Sequence, residues 1–310
     1  MKRIILPAAL LAFSHGLLAQ QPPSGGALQV PPAPTLPRSA PDIRIEQRAT
    51  LPAPSAEAVR IPVSSLRVHG ATVYPEAELL ALARFTPGSE LALVDLQAMA
   101  ARITDHYRRN GYFVAQAYLP AQDIRDGVVT IAVTEGRLGS VQLNNQSKLS
   151  DGVARSALAG LDNGAVIATG PFENRLLLLS DVPGVNVRST LVPGAAPGTS
   201  DLMVDVTPGR RLTGSIDADN GGNRYTGAYR LGATVNLNNP LGLGDVASLR
   251  VLSSGSGLRY ARGSYQLQAG RGQLGIAYSR LDYELGKEFA SLRAHGTAQI
   301  ASVFGRYPLL

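Results

Sequence analysis

The chain has no cysteine and no tryptophan among its 310 residues, and aromatic residues make up only 5% of it. Without thiols there is no disulfide framework, no lipid-bearing N-terminal cysteine and no Cys-based zinc site. Charge is sparse as well. Asp, Glu, Lys and Arg together are 17%, and the net charge of +6 comes from scattered arginines rather than from a basic block. That pattern predicts no nucleic-acid partner. Long apolar runs are also missing. The run Ile4 to Phe13 is shorter than the roughly 20 residues a helix needs to cross a bilayer. LLLLS at Leu176 to Ser180 lies in a short amphipathic stretch. If the chain enters a membrane it does so as a barrel, the other structure that satisfies its backbone within lipid.

What the chain does have is turn chemistry, with 33 Gly and 21 Pro, favouring many turns and short strands over long solvated helices. The N-terminus, MKRIILPAALLAFSHGLLAQ, has the basic start, apolar run and small residues of a secretory signal peptide, assigned to 1–19 with cleavage after Ala19 or after Gly16. Residues 20–58 are rich in Pro, Ala, Ser and Gly and form a semi-stiff linker. Within it, DIRIEQRAT (Asp42–Thr50) has the pattern of a short helix or strand formed on binding. The alternative is a linker disordered throughout.

From Val59 the pattern becomes globular. IPVSSLRVHG alternates and ends at Gly70, the mark of a strand. YPEAELLALARF predicts a short helix with Pro75 in its first turn. LALVDLQAMAARITDHYRRNGY predicts a longer one, with Leu96, Met99, Ala100, Ile103 and Tyr107 on one stripe and Asn110-Gly111 as its stop. FVAQAYLP and GVVTIAVTEG read as strands. The order strand, helix, helix, strand, strand then recurs: GSVQLNN, SDGVARSALAGL, PFENRLLLLSDV, GVNVRSTLV and TSDLMVDVTPG. The two copies, 59–137 and 138–209, constitute an internal repeat of a small α+β module.

From Arg210 to the end (210–310) no helical period remains, so the fold class is α+β followed by all-β. In GAYRLGATVNLNNPLGLGD, Tyr229, Leu231, Ala233, Val235 and Leu237 share one parity, and Arg230, Gly232, Thr234, Asn236 and Asn238 the other. Comparable segments bring the expectation to about six strands of roughly nine to thirteen residues, whereas ordinary strands average about 5–6 and outer-membrane strands need about 9–11. A soluble sandwich would fill its dry face with bulky side chains. Here that face is diluted by Ala and Gly, while the other carries Arg, Asp, Asn and Gln. Lipid outside and water inside fit better.

These segments resemble a known family. HYRRNGYFVAQAYLPAQDIRDGVVTIAVTEGRLGSV is similar to the POTRA domain of TpsB-type outer-membrane transporters of two-partner secretion, the ShlB/FhaC/HecB family. The matching positions are Tyr107, Gly111-Tyr112, Leu119-Pro120, Gln122, Gly127 and Glu135-Gly136. DADNGGNRYTGAYRLGATVNLNNPLGLGD resembles the start of that family's barrel, with Asn239-Pro240-Leu241-Gly242 as a periplasmic turn. The resemblance implies two tandem POTRA modules (β-α-α-β-β) in the periplasm of a Gram-negative bacterium, ahead of a sixteen-stranded antiparallel barrel in the outer membrane. It implies export of one large β-helical TpsA-type exoprotein, a haemolysin or filamentous adhesin, which the transporter can also activate. It further implies contact with outer-membrane lipid and the barrel assembly machinery, and no ATP, metal or cofactor. The POTRA modules would catch unfolded cargo by adding its strand to a sheet edge. Six strands cannot close a barrel, since single-chain barrels begin at about eight. YPLL also lacks the aromatic C-terminal residue of such barrels, and the family's Val-Arg-Gly-Tyr loop would lie beyond Leu310. The expectation is therefore a fragment or a truncated reading frame that makes no pore as written. Two alternatives stand beside export: a BamA-like factor that assembles other barrels, and a periplasmic POTRA scaffold outside the membrane.

For cargo capture, Leu176, Leu177 and Leu179 would line a groove beside Val185, Val187 and Leu191, unless the leucines are the module's own core. Arg211, Arg230, Arg250 and Arg262 are expected to face the lumen, either touching cargo or pairing with lumen carboxylates. Other apparent motifs have simpler explanations. Gly270 to Gly275 matches G-x-G-x-x-G, but both flanks alternate with period two, so it predicts a hairpin rather than a dinucleotide site. His69, His106 and His295 lack metal-ligand spacing. Asp217, Asp219 and Asp245 suit lumen or turn positions. No Ser/His/Asp arrangement sits on a nucleophile turn, so no enzyme is expected.

Overall fold

A computed structural model describes residues 42–45 and 60–307, except 256 and 271. The expected signal peptide, and the linker apart from 42–45, lie outside the described residues. The first element is a short strand, β1 (Asp42–Ile45).

The first module comprises β2 (Arg60–Val63), β3 (Ser65–His69), α1 (Glu76–Ala83), β4 (Ser89–Ala92), α2 (Leu93–Arg109), β5 (Gln116–Tyr118) and β6 (Val128–Thr134). The segment expected as one strand breaks at Ser64, because its halves have different partners. β2 pairs antiparallel with β4, Arg60 opposite Ala92, while β3 runs parallel to β6. Leu91 and Ala92, expected at the helix start, belong to β4. The helix begins after them, where the Asp95 carboxylate accepts a hydrogen bond from the Ala92 N–H at 2.9 Å and satisfies one of the donors a helix start leaves open. Leu96, Met99, Ala100, Ile103 and Tyr107 of α2 are all buried. Each large apolar side chain so buried contributes about 1.5–3 kcal/mol. Gly111 ends the helix at φ +90°, a left-handed conformation that glycine adopts without steric cost.

The second module contains β7 (Arg137–Asn145), α3 (Asp151–Leu158), α4 (Thr169–Ser180), β8 (Val185–Pro193) and β9 (Thr199–Pro208). Its sheet runs in the order β1-β8-β9-β7. A bulge interrupts β7 between Leu138 and Val141, where the Asp201 carboxylate accepts from the Ser140 N–H at 2.8 Å. Leu138, Ile167, Leu176, Leu179, Leu202, Val204 and Val206 form the core.

The remaining strands are β10 (Leu212–Asp219), β11 (Arg230–Asn238), β12 (Val246–Ser253), β13 (Leu258–Ala269), β14 (Gly272–Glu284) and β15 (His295–Arg306), with a short 3-10 helix (Lys287–Leu292) before the last. They form one six-stranded antiparallel meander in chain order. The described sheet is open. Ala269 faces Gly272 across the β13–β14 turn, so the Gly-rich run is a hairpin, as its flanks predicted.

Candidate functional site

The meander has its solvents reversed relative to a water-soluble sheet. Ile216 is 81% exposed and Val303 82%, with Leu212, Leu231, Leu249 and Ile276 also on the open face. On the opposite face Arg230 is 8% exposed and Arg250 6%, and Thr234 and Ser279 are buried. Strand alternation alone sorts these residues, because Leu231 and Arg230 are neighbours on β11. Apolar outside and charged inside is the arrangement of a barrel wall in hydrocarbon.

The covered arginines are paired. Arg250 makes two hydrogen bonds to Asp217, at 3.1 and 3.0 Å, and a third to Thr234 Oγ1 at 3.0 Å. Arg230 meets Asp219 Oδ1 at 2.7 Å. A buried charge needs such partners. Arg262 stands opposite Arg250 in register on β13 and has no carboxylate partner among the described residues. Arg211 is exposed just ahead of β10. Asp245 lies in the turn after β11, as its sequence context predicted.

The second module places the expected cargo residues unevenly. Leu176 and Leu179 are fully buried and pack with Val185 and Leu191 in the module's core. Leu177, between them on α4, is 40% exposed, and Val187 is partly buried against the same core. Four of the six residues are therefore enclosed. Helical spacing carried this signal, since residues three apart share a face and the intervening one does not. The edge of β8 is also covered. β1 lies parallel to it, with Asp42 opposite Arg188, Ile43 opposite Ser189, Arg44 opposite Thr190 and Ile45 opposite Leu191. The linker segment expected to order on binding is thus bound to the chain's own sheet.

In the first module, Glu135 is a buried carboxylate tying three segments together. It accepts from the Thr72 N–H at 2.6 Å, the Val73 N–H at 2.7 Å and the Tyr107 hydroxyl at 2.9 Å. The Thr72 hydroxyl donates to it as well, and Arg137 lies 3.8 Å away. Burial by itself would raise its pKa, but these hydrogen bonds outweigh burial and hold the carboxyl below its ordinary value. Tyr107 is pushed up by burial and by the adjacent carboxylate. Gln122 has a comparable structural role: its amide exchanges hydrogen bonds with Thr130 N–H and C=O at 2.8 and 2.7 Å, standing in for one residue of a strand beside β6. Sequence reasoning marked both positions without finding these partners.

Residues 61–136 match the family model of the ShlB-type POTRA domain, and residues 198–303 match that of the haemolysin secretion/activation protein ShlB/FhaC/HecB. The chain belongs to the ShlB/FhaC/HecB family. Among curated proteins it is 34% identical over 227 residues to the heme/hemopexin transporter protein HuxB of Haemophilus influenzae, a match covering 72% of this chain and 40% of that protein. It is 31% identical over 183 residues to the outer membrane transporter CdiB of Escherichia coli O6:K15:H31, covering 59% of this chain and 31% of the relative. The solved structure of CdiB from Escherichia coli superposes with a TM-score of 0.63 at 28% identity, over 82% of this chain and 48% of that one. The chain therefore spans about two fifths of the length of the HuxB relative. These likenesses establish the expected fold, tandem POTRA modules followed by the N-terminal strands of an outer-membrane barrel. They also place this ShlB/FhaC/HecB chain at the outer membrane, with its POTRA modules in the periplasm.

Proposed function

We propose that the chain acts, as part of a closed barrel, in outer-membrane protein translocation by two-partner secretion, exporting one large β-helical exoprotein. The observation that carries this is the reversed sheet, leucines outside and paired arginines inside, joined directly to two POTRA modules. Outer-membrane lipid covers the apolar face, and the barrel assembly machinery inserts it. The modules capture unfolded cargo. Backbone pairing at a sheet edge suits an unfolded chain because it makes no demand on side chains, while a nearby exposed residue such as Leu177 supplies selectivity. The edge of β8 is the candidate, and β1 occupies it, so a cargo strand binding there takes the place of β1. No catalytic step is assigned to the chain.

The test is export. A Gram-negative host expressing the chain as part of a closed barrel, with the exoprotein encoded beside its gene, should release that exoprotein into the medium, and that barrel should run as a heat-modifiable band in outer-membrane extracts. A soluble periplasmic monomer that releases nothing would refute this function.

A further inference from the structure

The turn between β11 and β12 is built to be stiff. Asp245 is fully buried. Its carboxylate accepts from the Leu241 N–H at 3.2 Å, the Leu243 N–H at 3.1 Å and the Tyr265 hydroxyl on β13 at 2.7 Å. The Asn239 side-chain oxygen accepts from the Gly244 N–H at 3.0 Å, and the Asn239 N–H donates to the Asp245 carbonyl at 2.6 Å. Seven residues are thus cross-braced by two side chains.

This braced turn sits in a socket of the second module. The Ser150 N–H, at the start of α3, donates to the Gly242 carbonyl at 2.7 Å. A Cβ added to Gly242 would lie 2.5 Å from the Lys148 carbonyl oxygen. One added to Gly244 would lie 3.2 Å from Val182 and 3.1 Å from Gln268 Cβ. One on Gly184, in the α4–β8 loop, would lie 3.2 Å from Cβ of both Asn238 and Asn239. Where the chain leaves β9, the Gly209 N–H donates to the Gly184 carbonyl at 2.9 Å. Backbones approach this closely only without side chains, and a hinge would need the opposite, a linker crossed by few contacts.

We propose that the second module and the periplasmic end of the barrel sheet form one rigid body, with Asp245 as the positioning residue that shapes the turn to its socket, and that cargo passes without the module swinging off the turn. This deepens the export function above and rests on it for the second half of the claim. Motion needed during transport then lies elsewhere, in β1 or in the cargo.

The experiment places cysteines at Lys148, in the socket beside Gly242, and at Leu241, on the turn, both exposed positions, in the chain as part of a closed barrel in outer membranes. The chain has no cysteine of its own. Spin labels at the pair should report one narrow distance, unchanged when the exoprotein is co-expressed. A broad or two-peaked distribution would overturn the rigid joint. A short reducible cross-link between the two should leave export at its uncross-linked level. A block of export relieved by reductant would show that the joint must open, and would also overturn the proposal. If export is absent before cross-linking, the export function fails, while the distance distribution still decides the joint. Asp245→Ala should broaden the distribution. A narrow distribution in that variant would remove Asp245 from its positioning role.

Discussion

Tyr107 donates its phenolic proton to Glu135 across 2.9 Å in the interior of the first module. The pair joins α2 to the end of β6, and the Thr72 and Val73 N–H groups attach the β3–α1 loop to the same carboxylate. Because the folded Glu135 carboxyl titrates below its ordinary value, the folded state holds fewer protons there than the unfolded state as pH drops. The stabilisation is complete above the ordinary carboxyl pKa and disappears as pH falls through the lowered folded value. Glu135→Gln should cost about 1.5–3 kcal/mol, typical for hydrogen bonds to a charged group. It should also flatten the acid dependence of thermal unfolding below about pH 4–5. An unchanged pH profile would show that another carboxylate controls it.

Gly111 combines the helix stop with a link to the second module. Its φ is +90°, and its carbonyl accepts from the Thr169 N–H and hydroxyl, both at 2.9 Å. A Cβ there would meet nothing closer than 3.7 Å, so the cost of substitution is conformational rather than steric crowding. Gly111→Val should lose about 1–3 kcal/mol, and Gly111→Asn distinctly less, since Asn tolerates the left-handed region. Chemical denaturation of the two variants checks this order.

The β1–β8 pairing predicts competition. Ile43→Pro together with Arg44→Pro removes backbone donors of both parities from β1 and should release it from β8. Binding of an N-terminal cargo peptide, followed by fluorescence anisotropy, should then tighten severalfold. Equal affinity with and without the prolines would mean that cargo binds elsewhere.

Leu176 and Leu177 are adjacent but should behave oppositely. Leu176→Ala empties a fully buried site and should cost about 2–5 kcal/mol of stability. Leu177→Ser, at the exposed position, should leave the melting temperature nearly unchanged while reducing export. Loss of stability in both would exclude Leu177 as a cargo contact.

Single cysteines at Arg230 and Leu231 test the two solvents of the sheet. In native envelopes a water-soluble thiol reagent should label Arg230→Cys. Leu231→Cys should resist it and react with a lipid-soluble reagent. Equal labelling by the water-soluble reagent would remove the hydrocarbon boundary on which the barrel assignment depends.

The two-fold alternation that separates Leu231 from Arg230, the apolar stripe of α2 and the Gly111 stop were all legible in the sequence. Each is a property of residues a few positions apart, where backbone geometry alone relates side chain to face. The repeat of strand, helix, helix, strand, strand was legible for the same reason. Tertiary structure alone decided which partners met: Asp217 with Arg250, Glu135 with Thr72 across 63 positions, and the short β1 with the edge of β8. It also split one expected strand at Ser64 and enclosed Leu176 while exposing Leu177. Such choices depend on closing long loops and on which polar groups remain unsatisfied once the core has formed, and no local pattern encodes either.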